Sequence, residues 1–251
     1  MTKACSLRCP GSMTMPRITV LIAASALLAG CNHHIHSPPA RALPMESVAP
    51  VGKGRVGLAA EAAIHGAVFG PSLTSGGGRV RVSPHEDVDV SVEGNVLHVR
   101  GDAANDIDQN VYSARVGAKY RVVRWFALAG GLGGGYHVAG TFVSPDLGII
   151  AAYENDYVVP YFSMRGFVSE PLAVRTVDTR EAGSTTPERG APQTTGGFAT
   201  SLGVRVPMLP SFDQNEGVRG SLLLAPGLTH VGDAEDQRTF VQFGGGAELT
   251  F

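Results

Sequence analysis

The chain has 251 residues, including 33 Gly and 16 Pro, and only 17% of them are charged. The apolar content of 43% excludes a disordered chain, and the length allows one large β domain or two small ones. A net charge of −2 without a basic cluster gives no electrostatic basis for binding nucleic acid. The three cysteines, Cys5, Cys9 and Cys31, are too few and too close to the N-terminus for a disulfide scaffold.

The N-terminal region has the pattern of a secretory signal. Arg17 precedes an apolar run over residues 18–29, which is about the length of a signal-peptide core. The run is shorter than the roughly 18 apolar residues of a membrane-spanning helix. A buried core helix is the alternative, but the position behind Arg17 favours a signal. Residues 1–12 lie upstream of an otherwise normal signal, which favours Met13 or Met15 as the start.

The end of this run, Leu-Ala-Gly-Cys at residues 28–31, resembles the lipobox of bacterial lipoproteins. The resemblance implies that the Cys31 thiol receives a diacylglycerol, that residues 1–30 are removed, and that the new amine is acylated. Acyl chains contribute about 0.8 kcal/mol per buried CH₂ group, so two chains suffice for stable anchoring. Asn32 stands where many lipoproteins of the inner membrane have Asp, so the resemblance implies the outer membrane.

Residues 31–53 contain several prolines and little periodicity, which predicts an extended tether between the lipid and the folded domain. His33, His34 and His36 lie within it, and clustered histidines can bind a transition metal. No carboxylate or cysteine follows at a ligand-like spacing. A solvated linker is therefore favoured, and neither a metal site nor another cofactor is predicted.

From residue 54 to residue 251 the sequence alternates with a period of two and shows no helical spacing with caps. Tyr112, Val116 and Tyr120 share one face of a predicted strand while Arg115 and Lys119 share the other. The pattern predicts about ten strands, within a range of about eight to twelve. They are placed at 55–68, 78–83, 87–99, 111–123, 126–138, 144–154, 157–168, 194–207, 217–230 and 239–251.

The predicted connections mostly alternate between short and long. Short turns are placed at 83–86, 124–125 and 155–156, and longer segments at 70–77, 100–110, 139–143, 169–193 and 231–238. The turn at 208–216 is longer than this scheme requires. Short turns at one end and long loops at the other are typical of a transmembrane β-barrel. With an even number of strands, both termini lie at the periplasmic end, within reach of a lipidated Cys31 in the inner leaflet.

The last predicted strand has one apolar face, formed by Val241, Phe243, Leu249 and Phe251. It resembles the closing strand of bacterial outer-membrane β-barrels, which often end in Phe after alternating apolar positions. The resemblance implies an antiparallel transmembrane β-barrel, a lipid-facing closing strand and insertion by the barrel-assembly machinery.

Charged residues fall on the face opposite the apolar stripes, so a barrel would turn them into its lumen. Their mixed signs favour paired charges in a narrow lumen over a wide pore of one sign. The predicted lumen-facing charges are Glu61, Asp87, Asp89, Glu93, Arg115, Lys119, Arg121, Arg165, Arg205, Arg219 and Glu248. Aromatic residues near the turns are typical of an interfacial girdle or of ordinary strands; they are Tyr120, Trp125, Phe126, Tyr153 and Tyr157.

No motif identifies an enzyme: a Gly-x-Ser-x-Gly elbow is absent, and the glycines at 130–135 lack the lysine and helix of a phosphate loop. His137 and His230 fall toward the predicted outer rim, where barrels of lipid-deacylating or protease type place their sites. A hydrolase is therefore kept as the third hypothesis. Other candidate residues near that rim are Ser144, Asp146, Asp233 and Asp236.

The favoured function is a lipid-anchored barrel in the outer membrane of a Gram-negative-type bacterium, with a structural or surface-interaction role and at most minor passage of small solutes. Its expected partner is membrane lipid, through the Cys31 acyl chains and the barrel exterior; residues 169–193 are the candidate loop for an unidentified external ligand. The main alternative is a soluble periplasmic β-sandwich or small barrel tethered by Cys31, acting in binding or assembly. That domain would bury the apolar stripes and expose the charges.

Overall fold

The computed structural model of the protein describes residues 36–67, 72–100, 109–179, 188–208, 217–234 and 236–251. Ten long antiparallel strands close into a barrel, and two short strands form a separate pair. No helix in the described residues is long and apolar enough to cross a membrane. The strands are β1 (Val56–Ala67), β2 (Ser72–His85), β3 (Val88–Arg100), β4 (Gln109–Val123), β5 (Phe126–His137), β6 (Gly140–Ala152), β7 (Val159–Val174), β8 (Val177–Thr179), β9 (Glu188–Gly190), β10 (Thr195–Pro207), β11 (Arg219–Gly232) and β12 (Gln237–Thr250).

The barrel closes between its first and last strands. Leu58 of β1 lies opposite Leu249 of β12, and Ile64 lies opposite Phe243. The other long strands pair in chain order, with β7 next to β10 because β8 and β9 pair only with each other. A closed ring leaves no unpaired strand edge. The prediction of an antiparallel barrel of about ten strands is confirmed.

Several strands extend further than predicted. Residues 72–77, predicted in a loop, begin β2, and residues 140–143 begin β6. Residues 169–174 continue β7, and the rest of the predicted loop at 169–193 contains the β8–β9 hairpin. Glycine has no side chain to show the alternation on which the prediction depends, whereas pairing with the neighbouring strands still holds residues 76–78 in the sheet.

We call the end at which β1 begins and β12 ends the turn end, and the opposite end the loop end. The turn-end connections at 86–87 and 124–125 are short, as predicted. At the loop end, residues 138–139 also form a two-residue connection. The predicted alternation of short and long connections therefore holds only in part.

Apolar side chains cover the outside of the barrel. Val92, Leu132, Leu147 and Val241 are each more than half exposed. Arg165, on the inward face of β7, is only 3% exposed. A water-soluble sandwich or barrel has the reverse arrangement, since its apolar side chains fill the core. The burial pattern thus contradicts the expectation on which the soluble alternative depends.

The chain that precedes β1 lies inside the barrel. We call residues 37–51 the lumen segment; Ser37, Met45 and Val48 within it are at most 1% exposed. The prediction of a solvated tether is therefore wrong for this stretch, and residues 31–35 lie outside the described chain. The prolines that suggested a tether keep the backbone extended, and they also remove N–H groups that would need partners inside a barrel.

The apolar core also lies in the lumen. Leu43, Met45 and Val48 of the lumen segment pack in one cluster with side chains of β1, β5, β6, β7 and β11. These wall residues are Ala63, Ala127, Ala129, Ile150, Ala152, Val159, Tyr161, Leu223 and Ala225. Small alanines on β5 and β11 leave the volume that the leucine, methionine and valine occupy.

Gly133 of β5 shows how closely the lumen segment approaches the wall. A Cβ atom at this position would overlap the Cβ of Ala40 and would lie 3.0 Å from the carbonyl oxygen of Ala114. Neither neighbour is the end of a flexible side chain. By contrast, Gly94 of β3 has open space around its Cβ position.

We expect Gly133→Ala to destabilise the barrel by about 1–3 kcal/mol, because the added methyl group must displace the lumen segment or the strand. The matched control Gly94→Ala is expected to be neutral or slightly stabilising, since alanine suits a strand interior better than glycine. The measurement is the thermal midpoint of the purified protein by circular dichroism. Equal midpoints for the two variants would contradict close packing at Ala40.

Candidate functional site in the barrel lumen

Wall side chains satisfy the backbone carbonyls of the lumen segment one after another. Hydroxyl groups from four strands donate to alternate residues of the segment. The bonds are Ser169 Oγ to Pro38 O (2.8 Å), Ser113 Oγ to Ala40 O (2.9 Å), Thr229 Oγ1 to Ala42 O (3.1 Å) and Ser201 Oγ to Pro44 O (2.7 Å). A buried carbonyl without a partner costs about 1–3 kcal/mol, so these hydroxyls make the extended route possible.

Glu46 of the lumen segment lies at the centre of a basic cluster. Its carboxylate is 3.3 Å from Arg79 Nη1, 3.5 Å from Lys119 Nζ and 3.6 Å from Arg165 Nη2. Arg81 Nη1 lies at 3.8 Å. The side chains of all five residues are at most 7% exposed. One carboxylate of the segment thus faces four cations of the wall.

Arg41 supplies the opposite charge from the same segment. Its Nη2 donates to both carboxylate oxygens of Glu61, at 2.9 and 3.0 Å, and to the Met45 carbonyl at 3.2 Å. Nη1 lies 3.4 Å from Glu46 and 3.5 Å from Glu93. The guanidinium therefore connects the lumen segment to β1 and β3.

The remaining wall charges pair with each other. Arg115 contacts Asp146 at 2.6 Å and Glu93 at 2.8 Å, while Arg81 contacts Glu248. Buried charges are tolerated only when they are paired in this way. The network has six cations, Arg41, Arg79, Arg81, Arg115, Lys119 and Arg165, and six anions, Glu46, Glu61, Asp89, Glu93, Asp146 and Glu248.

Most of the charges predicted for the lumen lie in this network, including Glu61, Arg115, Lys119, Arg165 and Glu248, as well as Asp89 and Glu93. Others lie near the turn end. Arg205 pairs with Glu154 at 2.8 Å, and Arg121, one third exposed, pairs with Asp87 at 2.6 Å. Arg219 is exposed at the first residue of β11, at the turn end, and is therefore not part of the buried network.

The predicted closing-strand residues lie on the outside. The side chains at Val241, Phe243, Leu249 and Phe251 are between 42% and 60% exposed. Cys31 lies outside the described residues.

Sequence reasoning missed Arg41, Glu46, Arg79 and Arg81 and placed Asp146 at the rim. Arg79 and Arg81 sit at alternate positions of a predicted strand, and that spacing was enough to find them. Arg41 and Glu46 occur in an aperiodic stretch, and nothing local distinguishes them from charges of a solvated linker.

Each proposed rim histidine contacts a residue outside the set predicted to act with it. His137 packs against Phe142 and lies opposite Gly140, four residues along β6 from Ser144. Asp146 instead binds Arg115. His230 bonds Thr239 at 2.9 Å.

At the loop end, two carboxylates hold the start of the described chain. His36 lies 3.5 Å from Asp233 and 3.3 Å from Asp236, and Arg238 donates to Asp236 at 2.9 Å. Burial lowers the pKa of the His36 imidazole, and the two carboxylates oppose that shift without cancelling it. Burial tends to raise the pKa of Asp236, but the hydrogen bonds from Arg238 and His36 bring it below its usual value.

Within the described residues, no group of three or more His, Cys, Asp or Glu side chains is arranged to hold a metal ion. His33 and His34 lie outside them.

Little space remains between the lumen segment and the wall. A cavity of about 30 Å³ lies beside Arg41, Glu61, Asn95 and Ser113, and one of about 10 Å³ lies beside Glu46. A water molecule needs about 10–15 Å³ of such space, so the larger cavity accommodates two or three waters at most and the smaller one no more than one.

No protein-family model matches the chain, and no curated protein is similar to it in sequence. Solved structures with a similar fold include the beta domain of the Bordetella autotransporter BrkA, with 11% identity over 79% of this chain and 99% of that one and a TM-score of 0.49. The translocator domain of the autotransporter NalP from Neisseria meningitidis has 10% identity over 80% and 89%, with a TM-score of 0.46. Neisserial surface protein A has 14% identity over 78% and 94%, with a TM-score of 0.36.

We expect Glu46→Gln to destabilise the barrel by about 3–5 kcal/mol, because four buried cations lose their shared carboxylate. The control Asp87→Asn, which breaks a partly exposed pair with Arg121, is expected to cost about 0–1 kcal/mol. The measurement is urea unfolding in detergent micelles, followed by the fluorescence of Trp125, the single tryptophan.

The double variant Glu46→Gln/Arg79→Gln removes one charge of each sign and is expected to recover part of the loss. If Glu46→Gln costs no more than Asp87→Asn, the central role of Glu46 in the network is wrong.

Proposed function

We propose that this protein is a lipid-anchored outer-membrane β-barrel that its own lumen segment fills, and that it acts in a structural or surface-interaction role. The observation that carries the proposal is the combination of an apolar exterior with a filled, charge-balanced interior. A structural or surface protein needs a stable barrel and accessible loops, and neither requires an open channel.

The exterior is suited to lipid over the height of the barrel. Among the outward positions of the ten strands, Arg100 and Glu170 carry a full charge, and both lie toward the loop end. A charge at the midplane of a bilayer costs about 2–4 kcal/mol on the outside of a barrel. The central band of this exterior avoids that cost.

Aromatic residues lie outside the barrel at both ends. Tyr120, Trp125 and Tyr157 are more than half exposed near the turn end. Tyr112 and Tyr136 stack at 5.1 Å near the loop end. Tyrosine and tryptophan concentrate where a membrane meets water, and two such belts support a spanning orientation.

A second attachment to the membrane rests on the lipobox at residues 28–31. The barrel alone suffices for membrane insertion, so acylation of Cys31 would fix the position of the N-terminal end. The partner expected from this proposal is membrane lipid, and the loops at the loop end are the surface available to an external ligand.

We expect the protein extracted from membranes to migrate faster on an SDS gel before boiling than after it, and to resist alkaline extraction, because a closed barrel with an apolar exterior stays folded in SDS. Loss of both properties would contradict a membrane-embedded barrel.

Cys31→Ser is expected to abolish incorporation of a palmitate analogue, whereas Cys9→Ser retains it, because Cys9 belongs to the removed signal. Incorporation into Cys31→Ser would overturn the lipid assignment.

We expect the intact protein to give no steady conductance in a planar bilayer, because the lumen segment fills the barrel and the cavities beside Arg41 and Glu46 are of water size. Deletion of residues 37–50 is expected to produce discrete conducting events. The deletion removes Arg41 and Glu46 together, so the charge of the lumen stays balanced. Heat-dependent gel mobility of the deleted protein verifies that its barrel forms. Steady conductance by the intact protein would contradict the filled lumen.

A further inference from the structure

The lumen segment runs through the barrel in one direction, from the loop end to the turn end. At the loop end, His36 contacts Asp233 and Asp236 in the connection between β11 and β12. At the turn end, the Gly54 amide donates to the carbonyl oxygen of Ser83 at 2.9 Å, immediately before β1 begins. The two ends of the segment therefore lie at opposite ends of the lumen.

Intermediate contacts follow the same order. The Ser37 amide donates to Thr195 Oγ1, at the start of β10, at 2.9 Å. Further along, Lys119 Nζ donates to the carbonyls of Ser47 and Ala49, at 3.0 and 2.9 Å. The Ala49 amide then donates to Glu154 at the turn end, at 3.1 Å. The segment thus descends without reversing its direction.

The orientation of the barrel in the membrane determines on which side the lumen segment begins. In outer-membrane barrels, short turns face the periplasm and longer loops face the exterior. Here β1 begins and β12 ends at the turn end, which has two two-residue connections, 86–87 and 124–125, and one long connection, 208–218. The loop end has one two-residue connection, 138–139. The loop end, where His36 lies, is accordingly the external end.

We infer that the lumen segment carries the N-terminal end of the mature chain to the cell surface, so that acyl chains on Cys31 anchor in the outer leaflet. The inference rests on the proposed function. It differs from the sequence-based expectation that both termini lie at the periplasmic end, because that expectation did not consider a chain inside the lumen.

Covalent geometry limits where the anchor can lie. Cys31 precedes His36 by five positions, and a fully extended chain of that length spans at most about 18 Å. The apolar band of an outer-membrane barrel is about 25 Å tall. An acyl chain on Cys31 therefore cannot reach the periplasmic leaflet unless residues 36–53 leave the lumen.

The test places the same short epitope after Asn32 in one variant and after Lys53 in another. Lys53 is exposed at the turn end, beside Gly52 and Gly54. On intact cells, we expect an antibody to detect the epitope after Asn32 at full intensity, and the epitope after Lys53 only once the outer membrane is permeabilised. Detection of the epitope after Asn32 only upon permeabilisation would overturn the inference.

Two controls separate this inference from the proposed function. Both epitope variants must keep the heat-dependent gel mobility of the parent protein. If the variant with the epitope after Asn32 keeps this mobility but is not detected on intact cells, the proposed route of the segment is wrong and the proposed barrel is unaffected. If an epitope prevents folding, His34→Cys and Lys53→Cys replace the two variants. They are labelled on intact cells with a maleimide carrying a polyethylene glycol chain that cannot cross the outer membrane, and the parent protein reports any labelling of Cys31. Labelling of Lys53→Cys but not of His34→Cys would overturn the route.

Discussion

The structure depends on the pairing of buried charges between the lumen segment and the wall. Glu46 contacts Arg79, Arg81, Lys119 and Arg165, while Arg41 contacts carboxylates of two further strands. Removing charges from water is costly, and only complete pairing compensates for that cost. A barrel with an apolar exterior must turn its charges inward, and the lumen segment provides partners for them there.

The same composition that suits a tether also suits a chain inside a barrel. Proline removes backbone N–H groups and keeps the chain extended. A proline-rich chain inside a barrel therefore still needs hydrogen-bond donors for its carbonyl groups. Ser113, Ser169, Ser201 and Thr229 supply that set from inward positions of the wall. In a β-barrel whose inward residues were mainly aliphatic, the same segment would leave its carbonyls unsatisfied.

The barrel itself could be predicted from the sequence because its signal is local. Alternation along each strand separates Arg115 and Lys119 from Val116 and Tyr120, and it fixes which residues face inward. The position of the lumen segment could not be predicted in this way. Its partners lie far along the chain, as Ala42 and Thr229 show with a separation of 187 residues, and the segment has no periodicity of its own. The glycine-rich start of β2 was missed for a related reason, since glycine shows no alternation.

The buried charges of the wall are equal in number for the two signs even without the lumen segment. Without it, the buried network keeps five cations, Arg79, Arg81, Arg115, Lys119 and Arg165, and five anions, Glu61, Asp89, Glu93, Asp146 and Glu248. The segment adds one charge of each sign, so its presence or absence leaves the net charge of the lumen unchanged. Its hydrogen bonds go to hydroxyl and ammonium groups, and also to the guanidinium of Arg79 and the carboxylates of Glu61 and Asp89. The charge balance of the wall therefore does not require the segment, whereas the filled lumen and the position of His36 at the loop end depend on it.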